Sequence, residues 1–138
     1  MKRYEAIEHT ADIGLRIFGK DWPELLSNAA LGLFDLMTDV AKINTSVTTE
    51  MSVDAADREA LFLGWLRELL FLFSTKRYVL KEFDFKELTD KTLKVTVRGE
   101  IFDPKRHDQK LEVKAVTYHR FKLEKRKKGW AAEVLFDV

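Results

Sequence analysis

The chain has 138 residues, with 24 Lys and Arg against 23 Asp and Glu, 46% hydrophobic residues and no cysteine. That size and apolar content suit one domain with a packed core, and the missing cysteines exclude disulfides and thiolate metal sites. The balanced charge argues against a dedicated nucleic-acid binder, because neutralising phosphates with a basic excess supplies most of such a protein's affinity.

The opening MKRYEAIEH lacks the apolar stretch of a signal peptide. The most hydrophobic run, Leu61 to Phe73, carries Arg67 and Glu68 and is shorter than the roughly 20 apolar residues of a membrane span. The expectation is a cytoplasmic protein with no membrane partner. Charged residues reach 34%, while Gln occurs once and Asn twice, a balance that fits a thermophile.

In chain order, Ile13, Leu15 and Ile17 alternate with Gly14, Arg16 and Phe18, as in a strand. Asp21, Trp22, Pro23 and Glu24 read as a helix start, with an N-cap Asp, a Pro tolerated in the first turn and a Glu three residues on. Behind them Leu25, Leu26, Ala29, Ala30, Leu33, Phe34 and Met37 form one apolar stripe at helical spacing. Val47, Met51 and Val53 sit in a Thr-rich extended stretch. A second helix starts near Asp57. Its stripe of Leu61, Phe62, Trp65, Leu66, Leu69, Leu70 and Phe73, widened by Leu63 and Leu72, predicts cover on more than one side.

Strand alternation returns at Phe83 and Phe85 and again at Leu93, Val95 and Val97. It is expected to continue through Leu111, Val113 and Ala115 to Phe121 and Leu123. Lys128 and Gly129 mark a hairpin turn. The last strand sets Trp130, Ala132, Val134 and Phe136 on one face and Ala131, Glu133, Leu135 and Asp137 on the other. Two long helices among mostly consecutive strands indicate an α+β fold, the helices packed on an antiparallel or mixed sheet. With no repeat, linker or low-complexity segment, residues 1–138 read as a single domain.

No Walker loop, dinucleotide fingerprint, HExxH or EF-hand pattern is present. Three weaker constellations remain. In His9, Thr10, Ala11, Asp12, a carboxylate beside a strand start suits a hard cation where other oxygens converge, and equally suits a turn that accepts backbone hydrogen bonds. At the end of the chain, Asp137 and the terminal carboxylate of Val138 would stand one residue apart on a strand. With Asp12 from a neighbouring strand they would suit calcium or magnesium and not zinc; Asp137 also fits a plain solvated surface acid. Lys114, Tyr118 and His119 form a usable set for phosphate contact or proton transfer, though a strand histidine is commonly structural. The basic run Lys125, Arg126, Lys127, Lys128 reads as a solvated hairpin tip, with RNA or partner docking as the alternative.

Taken in order, five segments resemble the archease family: Glu8 to Gly14 its N-terminal signature, Ala29 to Phe34 its first helix, Trp65 to Leu70 its second, Val113 to His119 its central strand, and Trp130 to Val138 its C-terminus. The resemblance spans the chain. It implies a protein cofactor, not an enzyme, for the GTP- and metal-dependent RNA ligase that joins 3′-phosphate or 2′,3′-cyclic phosphate ends to 5′-hydroxyls in tRNA splicing. Archeases promote guanylylation of that ligase and its repeated turnover. The family's metal site falls on Asp12, Asp137 and the Val138 carboxylate, with a divalent cation, calcium or magnesium, as cofactor. His9, Lys114 and His119 are candidates for support or partner contact, and RNA is expected to be met only indirectly or weakly. Two rival readings stand beside it: a chaperone-like binding module for RNA-processing enzymes, and a metal-dependent hydrolase, against which no paired base and nucleophile can be found. The oligomeric state is left open.

Overall fold

Apolar alternation sets the strands, and the strands set everything else. The computed structural model describes residues 2–9 and 11–138. Its elements run β1 (Tyr4–His9), β2 (Asp12–Gly19), α1 (Trp22–Met37), a 3-10 turn (Val40–Lys42), β3 (Val47–Asp54), α2 (Arg58–Lys76), β4 (Tyr78–Leu88), β5 (Thr92–Ile101), β6 (Ala115–Arg126) and β7 (Gly129–Asp137). The α+β class expected from the sequence is the one found, and every pairing is antiparallel. The strands divide into two sheets, of order β1-β2-β7-β6 and β3-β5-β4.

Both helices start where the sequence predicts. The Asp21 carboxylate accepts the Glu24 N–H at 2.9 Å and Asp57 accepts that of Ala60 at 2.8 Å, each satisfying one of the donors a helix N-terminus leaves open. α2 ends on Arg77 in the left-handed region, at φ 59, with its N–H donating to the Phe73 carbonyl at 2.9 Å. Its guanidinium lies over the Phe73 ring, 4.2 Å from the centroid.

The helices lie between the sheets. α1 packs on β1, β2 and β7 of the first sheet and on β4 of the second, while α2 touches β6 of the first and all three strands of the second. Leu61, Phe62, Leu63, Trp65, Leu66 and Leu69 are therefore all fully buried although they point in different directions. The cover on several sides that their wide stripe predicted is present. Trp65 ties the layers together: its indole N–H donates to the Leu26 carbonyl in α1 at 2.8 Å, and its ring meets Phe83 and Phe85 of β4. Burying an indole without that acceptor would forfeit much of its packing gain.

Two strand expectations need correction. Residues 102–114 form no strand, although Leu111 and Val113 alternate as one would. The backbone of this segment is used elsewhere: Lys110 and Leu111 donate their N–H groups to the carbonyls of Met37 and Leu36, each at 3.0 Å. Those are carbonyls of the last turn of α1, which a helix leaves without partners of its own. The second correction lies in β6, whose ladder to β7 runs through Thr117 opposite Leu135 and resumes only at Lys122 opposite Glu133. Between them the chain bulges, with Arg120 at φ 56. The face-by-face alternation expected through His119 holds only as far as Thr117.

Among the described residues, no helix is long and apolar enough to cross a membrane.

Candidate functional site

The core dictates the site. On β2 and β7 the inward positions pair as Ile13 with Phe136, Leu15 with Val134 and Ile17 with Ala132, and Leu15, Ile17, Val134 and Phe136 are at most 1% exposed. A slip of one residue would turn this apolar set outward, so the register is strongly specified. The alternate positions then point away from the helices, and the last of them places Asp12 directly opposite Asp137. Residues so paired have β-carbons about 4.5–5.5 Å apart on one face of the sheet.

The row continues on both sides. His9 ends β1 at the register position opposite Asp12, and Ala115 of β6 stands opposite Asp137. Thr10, part of the same motif, lies outside the described residues. Asp137 is exposed and Asp12 half-buried, so the pair sits at an accessible tip of the sheet. Lys114 is held there by its backbone, whose N–H donates to the Asp137 carbonyl at 2.7 Å; its side chain is exposed. His119 is exposed within the β6 bulge and has left the ladder that carries Asp137. Asp12 and Asp137 are thus brought together as expected, Lys114 borders them, and His119 lies in the irregular stretch beyond.

Like charges directly opposite one another destabilise a sheet, and among the described residues neither carboxylate has an ion-pair partner. The next charged row on this face shows the contrast. There Arg16 stands between Glu5 and Glu133, at 2.9 and 3.4 Å, and Lys2 reaches Glu5 as well. The bonds from Lys2 and Arg16 hold the Glu5 carboxyl below the usual carboxylate range. One row meets its charges with protein cations and the other does not. Among the described residues no group of three or more His, Cys, Asp and Glu side chains gathers for a metal ion; a cation at the tip would rest on two side chains and a main-chain carboxylate. Those donors are hard oxygens, which fits the calcium or magnesium that the resemblance implies.

A second cluster escaped the sequence reading. Glu100 and His107 are 6% and 3% exposed. The His107 Nδ1 accepts the Asp103 N–H at 2.8 Å, which places the ring proton on Nε2, facing Glu100 Oε2 at 2.9 Å. Arg106 pairs with the other carboxylate oxygen, and the Asn44 N–H donates to Oε2 at 2.6 Å. Burial pushes the Glu100 carboxyl up, but the Asn44, His107 and Arg106 contacts outweigh it and hold it below the ordinary value. The cluster pins the loop after β5 against the 3-10 turn. Nothing in the run from Asp103 to Lys110 marks its histidine as buried, because the seven other residues of the run are all polar, charged or Pro.

Comparison with known proteins bears on what this arrangement is for. Residues 4–138 match the model of the Archease protein family. The chain belongs to the archease family. The archease of Pyrococcus abyssi is 40% identical over 142 residues, with all of both chains covered. That of Methanosarcina acetivorans is 36% identical, covering 99% of this chain and 97% of the relative. Among solved structures, Methanobacterium thermoautotrophicum protein 1598 superimposes with a TM-score of 0.85 at 33% identity over the whole of both chains. A Thermotoga maritima protein described as an archease, possible chaperone, gives 0.70 at 27% identity, covering 97% of this chain and 96% of that one. The family resemblance read from five ordered motifs is shown, and so is the α+β fold read from the helix and strand pattern.

Proposed function

We propose that this protein is a non-catalytic activator of the GTP- and metal-dependent RNA ligase of tRNA splicing, acting in the cytoplasm through the acidic tip of its first sheet. The observation that carries the reading is the register pairing of Asp12 with Asp137 at an accessible end of the molecule. Family membership supplies the context, and the donor chemistry supplies the cation class. Asp12, Asp137 and the terminal carboxylate of Val138 would hold calcium or magnesium. When bound, such a cation supplies positive charge that can offset and bridge phosphate oxygens. The chain's own part is positional: β2 and β7 fix two carboxylates on a rigid ladder, and misplacement by about an ångström is costly in phosphate chemistry. Lys114, tied by its backbone to Asp137, would meet the partner or its nucleotide from the side.

The test is ligase guanylylation measured before the steady state, with and without this protein and with Asp12→Ala or Asp137→Ala. Stimulation by the parent and its loss in both folded variants is the expected result. Guanylylation at the parent rate with either variant sinks the reading. A chaperone-like role is the second reading, supported by the description of the Thermotoga maritima archease as a possible chaperone; Phe71 and Tyr118, which are 58% and 66% exposed, are the apolar side chains it would use. It predicts that both aspartate variants keep full effect and that unrelated unfolded clients are protected from aggregation.

A further inference from the structure

The far end of the same sheet has the opposite character. Residues 122–128, the hairpin half of β6 and its turn, carry five Lys or Arg and one Glu, a net +4, in a chain whose formal net charge is +1. The rest of the molecule is therefore at −3, and the balanced total conceals a segregated charge. Gly129 folds the β6–β7 hairpin onto the turn after β2. Its φ of +136 lies in the region that favours glycine, and a β-carbon there would stand 2.3 Å from the Gly19 carbonyl oxygen. Lys128 and Lys20, the chain neighbours of those two glycines, are brought to one end of the sheet.

Between the hairpin and the first strands lies a cleft of about 330 Å³, lined by Phe18 and Trp130 together with Lys2, Glu5, Arg126 and Lys128. Internal pairing consumes little of the charge. Arg126 meets Glu124 at 3.4 Å and Lys2 meets Glu5, but Lys122, Lys127 and Lys128 have no ion pair among the described residues. Lys125 lies over the Trp130 ring, 5.7 Å from its centroid. That ring packs on the helix side against Trp22 at 5.4 Å and under Arg58 at 4.7 Å, which leaves Phe18, on the outward face, as the open ring of the cleft.

We propose that this end binds single-stranded RNA, with phosphates on the β6–β7 hairpin and one base on the outward Phe18 ring in the adjoining cleft. An open aromatic ring flanked by Lys and Arg is the combination single-stranded nucleic acids use, since every base offers a flat face and every linkage a negative charge. An acidic protein surface would answer the charge and leave the aromatic cleft without purpose. Duplex RNA offers no free base to stack. The site is seven residues along β2 from Asp12, about 23 Å at strand rise, so the acidic tip stays free while RNA is held. The inference is independent of the ligase reading and goes beyond the expectation that RNA is met only indirectly or weakly: total charge argues against a dedicated nucleic-acid binder, whereas the local charge admits one.

The experiment uses the intact protein without ligase. A fluorescein-labelled ten-nucleotide oligouridylate is titrated by anisotropy between 25 and 200 mM salt, and intrinsic Trp fluorescence is followed in parallel. With about four phosphates neutralised, log K should fall with log salt at a slope of about −3. The Lys127→Glu, Lys128→Glu double variant should bind at least tenfold more weakly. Phe18→Ala should lose several-fold at an unchanged slope, and Asp12→Ala should bind as the parent does. Quenching of Trp fluorescence by the unlabelled oligomer checks the cleft without a substitution. No binding at 25 mM salt, parental affinity in the charge-reversed variant, or displacement of the RNA by polyglutamate at equal charge concentration each overturns the proposal. The last of these would assign the surface to an acidic protein.

Discussion

Asp12 of β2 and Asp137 of β7 are register partners, two carboxylates facing each other at the end of a ladder whose other face is core. Their opposition is imposed by the pairing of Leu15 with Val134 and Ile13 with Phe136, which could not shift without exposing apolar surface. Like charges so placed carry a cost that a divalent cation would convert to a gain. Asp137→Asn should therefore raise the melting temperature in EDTA by about 1–4 °C, and the rise that millimolar calcium or magnesium gives the parent should disappear. A scan with the metals in which parent and variant respond alike would remove the cation from the account.

The third donor in that account is the main-chain carboxylate of Val138. Extending the chain by Gly-Ser-Gly moves this charge away and leaves Asp12 and Asp137 untouched. Affinity for a hard cation follows the number of charged oxygen ligands, so divalent binding by calorimetry should weaken on the order of tenfold. Stimulation of ligase guanylylation should fall in step. An extended protein with unchanged affinity would limit the site to the two side chains.

Which parts of this were legible in the sequence has a physical answer. The faces of Asp12 and Asp137 were legible because β2 and β7 alternate cleanly and a period of two fixes which residues share a face. That the two strands are neighbours came only as what the family resemblance implied. The cap at Asp21 was legible because it acts within three residues, and the second helix was expected to start near Asp57 without its cap being read. The division into two sheets was not, since alternation reports that a strand is half-buried and says nothing about its neighbour. The β6 bulge was hidden because its left-handed residue is Arg120 and not Gly or Asn, so no residue type marks it. The loop after β5 was hidden for a related reason: His107 is buried by partners 7 and 4 residues away, Glu100 and Asp103, in a segment whose composition reads as solvent-exposed. The basic end was visible as Lys125 to Lys128, but Phe18 joins it only through the fold.

The Glu100 cluster gives a pH dependence with a definite sign. Its folded carboxyl lies below the ordinary value of 4.5 because Asn44, His107 and Arg106 hold the charged form against the opposing effect of burial. A group depressed in this way contributes stability that is present above the unfolded value and is lost as pH falls through the folded one. Between neutral pH and the region below 4.5, the parent should lose more stability than Glu100→Gln, so their urea midpoints should converge on acidification. At pH 7 the variant should be the weaker by a few kcal/mol, about the cost of breaking a buried charged pair. Midpoint curves that stay parallel down to acid pH would show that Glu100 is not the group being titrated.

The tightest crossing in the second sheet yields a prediction that leaves the acidic tip alone. Gly99 of β5 stands between Val47 of β3 and Leu80 of β4, and a β-carbon there would lie 1.9 Å from the Val79 carbonyl oxygen and 2.7 Å from the Leu80 Cα. Both obstacles are backbone, so no side-chain rotation relieves them, and β4 must move away from β5. That movement would disturb Val79 and Leu80, which are fully buried, and loosen the ladder behind Trp65. Gly99→Ala should cost about 3 kcal/mol or more, at the upper end for overpacking, read as a lowered urea midpoint. Because Asp12 and Asp137 belong to the other sheet, the fraction that remains folded should bind a divalent cation with parental affinity. Loss of that affinity at full folding would mean that the two sheets are coupled through the helix layer far more tightly than their separate ladders suggest.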